Sequence, residues 1–131
     1  FGGGMALAVG FDESGLSQWI GNGLGSLGGL PIMVLTACIC LTVTFLTEVT
    51  SNTATTSILM PVLAAAATTH DIDPMYLMMP AALSASCAFM LPVATAPNAI
   101  VFGSNRVTMR DMVVCGVVIN LIGVVVITLF V

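Results

Sequence analysis

Charge is what this sequence has least of. Only 6% of its 131 residues are charged, and the set comprises six acids and two arginines, Arg106 and Arg110. A soluble domain carries about 25% charged residues, so composition argues against a soluble globule. With no basic cluster there is no electrostatic footprint for nucleic acid, and no nucleic-acid partner is expected. Histidine occurs once, as His70. The four cysteines, Cys38, Cys40, Cys87 and Cys115, stand in apolar sequence. Cys38 and Cys40 fall on different faces of a helix, so the expectation is small core residues and not a metal knuckle. There is no P-loop, no GxGxxG and no nucleophile–base pair, so an enzyme is not expected. Gly2-Gly3-Gly4 lacks a following Lys-Ser/Thr, and glycines are common at helix contacts in membranes. The chain begins with Phe1 and has no basic n-region or small-residue cleavage site, so it reads as an internal or C-terminal piece of a longer protein.

What is present is apolar residues, 58% of the chain, with a mean hydropathy of +1.14. The class is an all-α integral membrane protein. Residues 1–13 read as the end of a membrane helix. Residues 14–28 carry apolar positions at helical spacing around Trp19, which suits a helix lying at the bilayer interface. Residues 31–69 hold two apolar segments joined by Thr47-Glu48-Val49-Thr50-Ser51-Asn52-Thr53. The first segment is about 16 residues, or roughly 24 Å of helix, short of a ~30 Å hydrocarbon core. Two half-depth helices meeting at a polar tip, a re-entrant hairpin, fit that length. Two full spans with a polar turn remain the alternative.

His70-Asp71-Ile72-Asp73 reads as a solvent loop. Residues 74–103 form the next membrane element, with Met75 to Val93 expected helical. Pro92 and Pro97 bracket Val93-Ala94-Thr95-Ala96, so the helix should open there and resume at Asn98. A discontinuous helix of this kind marks transporter sites; a simple proline kink is the alternative. The tip (47–53) and the opening (94–98) are expected to be non-helical and to approach each other. Residues 109–131 form the last transmembrane helix. Thr108 is placed as its N-cap, and Asp111 three residues on completes a capping-box pattern. Arg106 and Arg110 flank its start, which places that loop in the cytoplasm. The loop at His70 and the break at Gly28-Gly29 are then external.

These stretches carry a resemblance. Thr47 to Thr53 resembles the Ser-Asn-Thr signature of the divalent anion/sodium symporter family, carriers of dicarboxylates and citrate. Ser86-Cys87-Ala88-Phe89-Met90-Leu91-Pro92-Val93-Ala94-Thr95-Ala96-Pro97-Asn98-Ala99-Ile100-Val101-Phe102 resembles that family's second-repeat broken helix. Phe1-Gly2-Gly3-Gly4 resembles the glycine run ahead of its hairpin. The resemblance covers nearly the whole chain. It implies the second inverted repeat of an elevator-type secondary transporter, the C-terminal part of the transport domain, with the first repeat of the same protein absent from this chain. It further implies a homodimer in the plasma (inner) membrane, sodium as the coupled ion, and symport of a dicarboxylate such as succinate, or of citrate. An anion channel, another carrier of the ion-transporter superfamily, or a structural membrane subunit are the competing classes.

By the same resemblance one sodium is held by Thr47, Thr50, Asn52 and Ala94, with Thr50 and Ala94 acting through backbone carbonyls. Substrate lies against Asn52 and Thr53, with Thr95 and the backbone at Ala96 as the opposite wall. The donor types suit these roles: sodium is a hard cation that takes oxygen, and amide and hydroxyl groups donate to carboxylate. Where the family often has two prolines before the asparagine, this chain has Ala96-Pro97. Glu48 is the odd member, since a carboxylate beside a dianion would repel it. It is expected to point away or to pair elsewhere.

Overall fold

Lipid offers a backbone no hydrogen-bond partners, so apolar runs of this kind must close their bonds internally as helix. The computed structural model of the chain describes residues 31–69 and 71–131, together with Ala6, Val9, Gly10, residues 13–15 and Trp19. The segments expected at 1–13 and 14–28, and His70, lie outside the described residues apart from those isolated positions. The described elements are α1 (Ile32–Thr47), α2 (Asn52–Thr69), α3 (Met75–Ala85), α4 (Ala96–Gly103) and α5 (Met109–Phe130), with no strand among the described residues.

Pro31 caps α1, its carbonyl accepting from the amides of Val34 and Leu35 at 2.8 and 3.2 Å. α2 runs unbroken through Pro61; the lost N–H costs one bond, which neighbouring packing offsets. α2 ends in a closed reverse turn. Ile72 N–H donates to Ala67 O, Asp71 N–H donates to Thr68 O, and Asp71 takes φ 54°. This satisfies the last carbonyls of the helix. α5 starts as its spacing predicts: the Thr108 hydroxyl accepts from Asp111 N–H at 3.2 Å and the Asp111 carboxylate accepts from Thr108 N–H at 3.3 Å. α5, at 22 residues, is the one described helix long and apolar enough to cross a bilayer.

α1 and α2 leave the tip and touch each other little; α3 packs against both. The core between them is Val43 of α1, Leu63 and Ala67 of α2, and Leu77, Ala81 and Ala85 of α3. The last three recur every four residues, one stripe of a helix. α5 closes the other side of α1, with Val124 and Ile127 against Cys40. Of the four cysteines only Cys40 is buried; Cys38 and Cys115 are exposed on outer faces and Cys87 is half-buried. That corrects the expectation of four core residues. The outer faces of this chain are themselves apolar, so apolar surroundings in sequence do not imply burial within it.

The main departure lies between α3 and α4. The helix expected from Met75 to Val93 ends at Ala85, and the chain stays non-helical until α4 begins at Ala96. The opening thus starts well before Pro92, and Ala96 to Asn98 are helical. At the tip only residues 48–51 are non-helical, since Thr47 ends α1 and Asn52 begins α2. At both places tip side chains hold the backbone: Thr47 bonds Asn52 and the Ala85 carbonyl, and Glu48 accepts from the amides of Phe89, Met90 and Leu91.

Candidate functional site

The tip and the opening face each other across a cavity of about 480 Å³ lined by residues 49–53 and 93–96. Two helix beginnings meet there, α2 at Asn52 and α4 at Ala96. Helix N-termini carry unpaired N–H groups and a partial positive charge, and so favour anions. The chain's two arginines lie beyond α4, at positions 106 and 110, outside this lining.

Each residue singled out in the sequence has a place here. Thr47 is fully buried. Its single hydroxyl proton is shared between two acceptors, Asn52 Oδ1 at 2.5 Å and the carbonyl of Ala85 at 2.9 Å. The oxygen of Asn52 is thereby turned inward, which leaves the nitrogen end of its amide for the cavity. The Thr50 hydroxyl is engaged with Leu46 O at 2.8 Å and with Thr55 Oγ1 at 2.6 Å, so the group it has left to offer is its carbonyl. Thr53 and Ala96 are exposed and line the cavity, and Ala94 and Thr95 line it half-buried. Thr95 is the N-cap of α4, its hydroxyl accepting from Asn98 N–H at 3.4 Å. The structure brings Thr47 and Asn52 into contact, and brings Asn52, Thr53, Ala94, Thr95 and Ala96 around one cavity.

Four residues that shape this site, Asn98, Glu48, Asn120 and Gly116, were missed or undervalued by the sequence reading. Asn98, where the helix was expected to resume, donates from Nδ2 to Ala88 O at 2.8 Å and to Leu91 O at 3.0 Å. It ties α4 back to the chain leaving α3. Glu48 pairs elsewhere, as expected, but not at the surface. It is 2% exposed and accepts from the amides of Phe89, Met90 and Leu91 at 2.8, 2.9 and 3.0 Å. Its fourth donor is Asn120 Nδ2 of α5, at 2.7 Å. Asn120 had a signal, an amide in an otherwise uncharged apolar span, and polar groups at membrane depth are usually functional. Gly116, one turn before Asn120, lets the opened chain lie on α5: a Cβ there would stand 2.6 Å from Met90 Cα and from Phe89 O.

Comparison with known proteins bears on this arrangement. The model of the family described as sodium:sulfate symporter transmembrane region matches residues 1–131. A protein named sodium-dependent dicarboxylate transporter SdcS, from Staphylococcus saprophyticus, is 47% identical over 131 residues, all of this chain and 25% of that protein. Its namesake from Staphylococcus aureus is 48% identical over the same length and share. Solute carrier family 13 member 2 of Oryctolagus cuniculus is 52% identical over 128 residues, 98% of this chain and 22% of that protein. The chain therefore spans about a quarter of the length of these relatives. They are transporters and not enzymes. On a match over its whole length, the chain belongs to the sodium:sulfate symporter family, as a segment of its transmembrane region.

Proposed function

We propose that the protein carrying this chain is a sodium-coupled symporter of dicarboxylates, succinate first and citrate second, in the plasma membrane. The chain supplies half of the binding site and the first repeat of the same protein supplies the other half. Residues 31–69 are the re-entrant hairpin, 74–103 the broken helix and 109–131 the last span. The whole works as a homodimer by an elevator movement, with the loop at Arg106 and Arg110 in the cytoplasm.

The observation that carries this reading is a cavity between two helix N-termini with no basic side chain in its lining. A dianion in such a place needs its charge offset, and Lys or Arg is not at hand. Helix ends offset part of it. A sodium ion on neutral oxygens offsets more, because neutral ligands leave its charge available. Thr47 Oγ1, the carbonyls of Thr50 and Ala94, and Asn52 Oδ1 are the oxygens for it. Asn52 Nδ2, the Thr53 hydroxyl and the start of α4 at Thr95 and Ala96 face the carboxylates. Asn52 is the residue that touches both ligands.

In the full-length protein, Asn52→Ala removes both contacts. A lost hydrogen bond to a charged group costs about 1.5–3 kcal/mol, roughly ten- to a hundredfold in affinity. Sodium and succinate affinities should fall together, because their binding is reciprocally linked. The measurement is succinate uptake against sodium at several substrate concentrations. Unchanged affinities for both in folded Asn52→Ala would sink the proposal.

A further inference from the structure

The end of α3 is a helix bond taken apart. Continued helix would pair Phe89 N–H with the carbonyl of Ala85, four residues back. In the structure neither group is left unpaired. The Ala85 carbonyl accepts from the Thr47 hydroxyl at 2.9 Å, and Phe89 N–H donates to the Glu48 carboxylate at 2.8 Å. Two adjacent side chains of the tip have replaced the two halves of one helix bond. Glu48 then takes the next two amides as well, Met90 to the same oxygen and Leu91 to the other. Three successive N–H groups given to one carboxylate are withdrawn from the carbonyls four residues back, so α3 cannot continue through them.

Local sequence does not demand this opening. Residues 86–91 contain no glycine and no proline, and the helix breaker, Pro92, comes after them. An ionised carboxylate is an acceptor at both oxygens, and charge-assisted bonds are about twice as strong as neutral ones. Glu48 is therefore able to outcompete the helix carbonyls. The opened backbone is passed on to the cavity: Ala88 O and Leu91 O hold the amide of Asn98, and Asn98 N–H holds the cap Thr95. A chain of hydrogen bonds thus runs from Glu48 to the wall that faces Asn52.

We infer that Glu48 is a positioning residue: its carboxylate imposes the unwound state of residues 86–95 and so sets Ala94 to Ala96 opposite Asn52. It touches neither ligand, and acts through the backbone and Asn98. Because Thr47 takes the other half of the same broken bond, the sodium oxygens and the unwinding are one structural event. This rests on the symporter reading above and goes beyond it, by assigning sodium affinity to a residue outside the ion's shell.

The test uses the purified full-length protein in liposomes, reading sodium half-saturation and maximal succinate uptake per folded molecule. Glu48→Gln puts an NH₂ group against amide donors; Glu48→Asp keeps the charge but falls one methylene short. Both should raise sodium half-saturation about tenfold, the scale of one charge-assisted bond, and leave maximal uptake at saturating sodium within about twofold. A stabilising role alone would lower the amount of folded protein without moving half-saturation. A long-range charge effect alone would leave Glu48→Asp like wild type. Either result overturns the inference. If neither Glu48 variant folds, Asn98→Ala decides, since it keeps the carboxylate and cuts the link to α4: a similar rise supports the inference and an unmoved half-saturation overturns it. Should Asn52→Ala shift sodium affinity while the Glu48 and Asn98 variants do not, this inference fails alone. A wild-type protein indifferent to sodium removes the symporter reading and this inference with it.

Discussion

Thr47 shows how much one hydroxyl can be asked to do. It is fully buried, and its single proton lies within reach of both Asn52 Oδ1 and the Ala85 carbonyl. Thr47→Val keeps shape and volume but removes the hydroxyl. The Ala85 carbonyl is then buried without its partner, at a cost of about 1–3 kcal/mol. The expected outcome in the full-length protein is a lower Tm together with a several-fold rise in the sodium needed for half-maximal uptake. Thr47→Ser should restore both, because the donor returns. Thermal unfolding with and without sodium checks it, since a ligand bound only by the folded state raises Tm in proportion to its affinity. A Thr47→Val protein with wild-type Tm and wild-type sodium response would remove Thr47 from the site.

Among the elements, α5 is the one whose role extends past spanning. Its buried stripe is Met112, Gly116, Asn120, Val124 and Ile127; Gly116 lies against the opened chain, Asn120 donates to Glu48, and Val124 and Ile127 pack on Cys40 of α1. Gly116→Ala places a methyl 2.6 Å from backbone atoms of Phe89 and Met90, and backbone has no rotamer by which to yield. Overpacking of this kind costs about 1–3 kcal/mol. The expected result is a lower Tm for the full-length protein and a weaker sodium response, by displacement of the chain that Glu48 holds. Gly123→Ala is the control on the same helix: its Cβ would meet Cys87 Sγ at 3.7 Å, an ordinary contact, so Tm should be nearly unchanged. Equal effects from the two substitutions would contradict the close approach. The start of α5 allows an independent check. Thr108→Ala removes an exposed capping box and should cost about 1 kcal/mol, with sodium affinity unaffected because the cap is not part of the cavity lining.

At the scale of the whole molecule, this chain spans about a quarter of the length of its relatives. Large apolar residues cover the outer side of α5, with Val118 at 54%, Ile122 at 57% and Leu129 at 66% exposure. Surfaces of this kind belong against lipid or against the rest of the protein. On the proposed reading the first repeat supplies the other half of the site that residues 49–53 and 93–96 line here. The isolated 131-residue chain, reconstituted in liposomes, is therefore expected to show no saturable sodium-driven succinate uptake. Uptake by that chain alone would show that the site needs no second half.

Much of this was legible in composition and pattern, because lipid narrows the choices. Few charges and long apolar runs decide membrane helices, since no other backbone satisfies itself there. Thr108 and Asp111 announce the start of α5 because capping is a local interaction over three residues. The polar tip and the proline pair mark where the helices are interrupted, and the Ser-Asn-Thr and broken-helix motifs identify the family. What the chain could not reveal in one dimension is where the break begins. Proline signals placed it after Val93, yet α3 ends at Ala85. That boundary depends on a carboxylate 41 residues away from Phe89 and an amide 72 residues away from the carboxylate. Short-range propensity decides a helix end only when nothing stronger competes. Here a buried carboxylate collects its donors from three amides of α3's own continuation and from the Asn120 side chain.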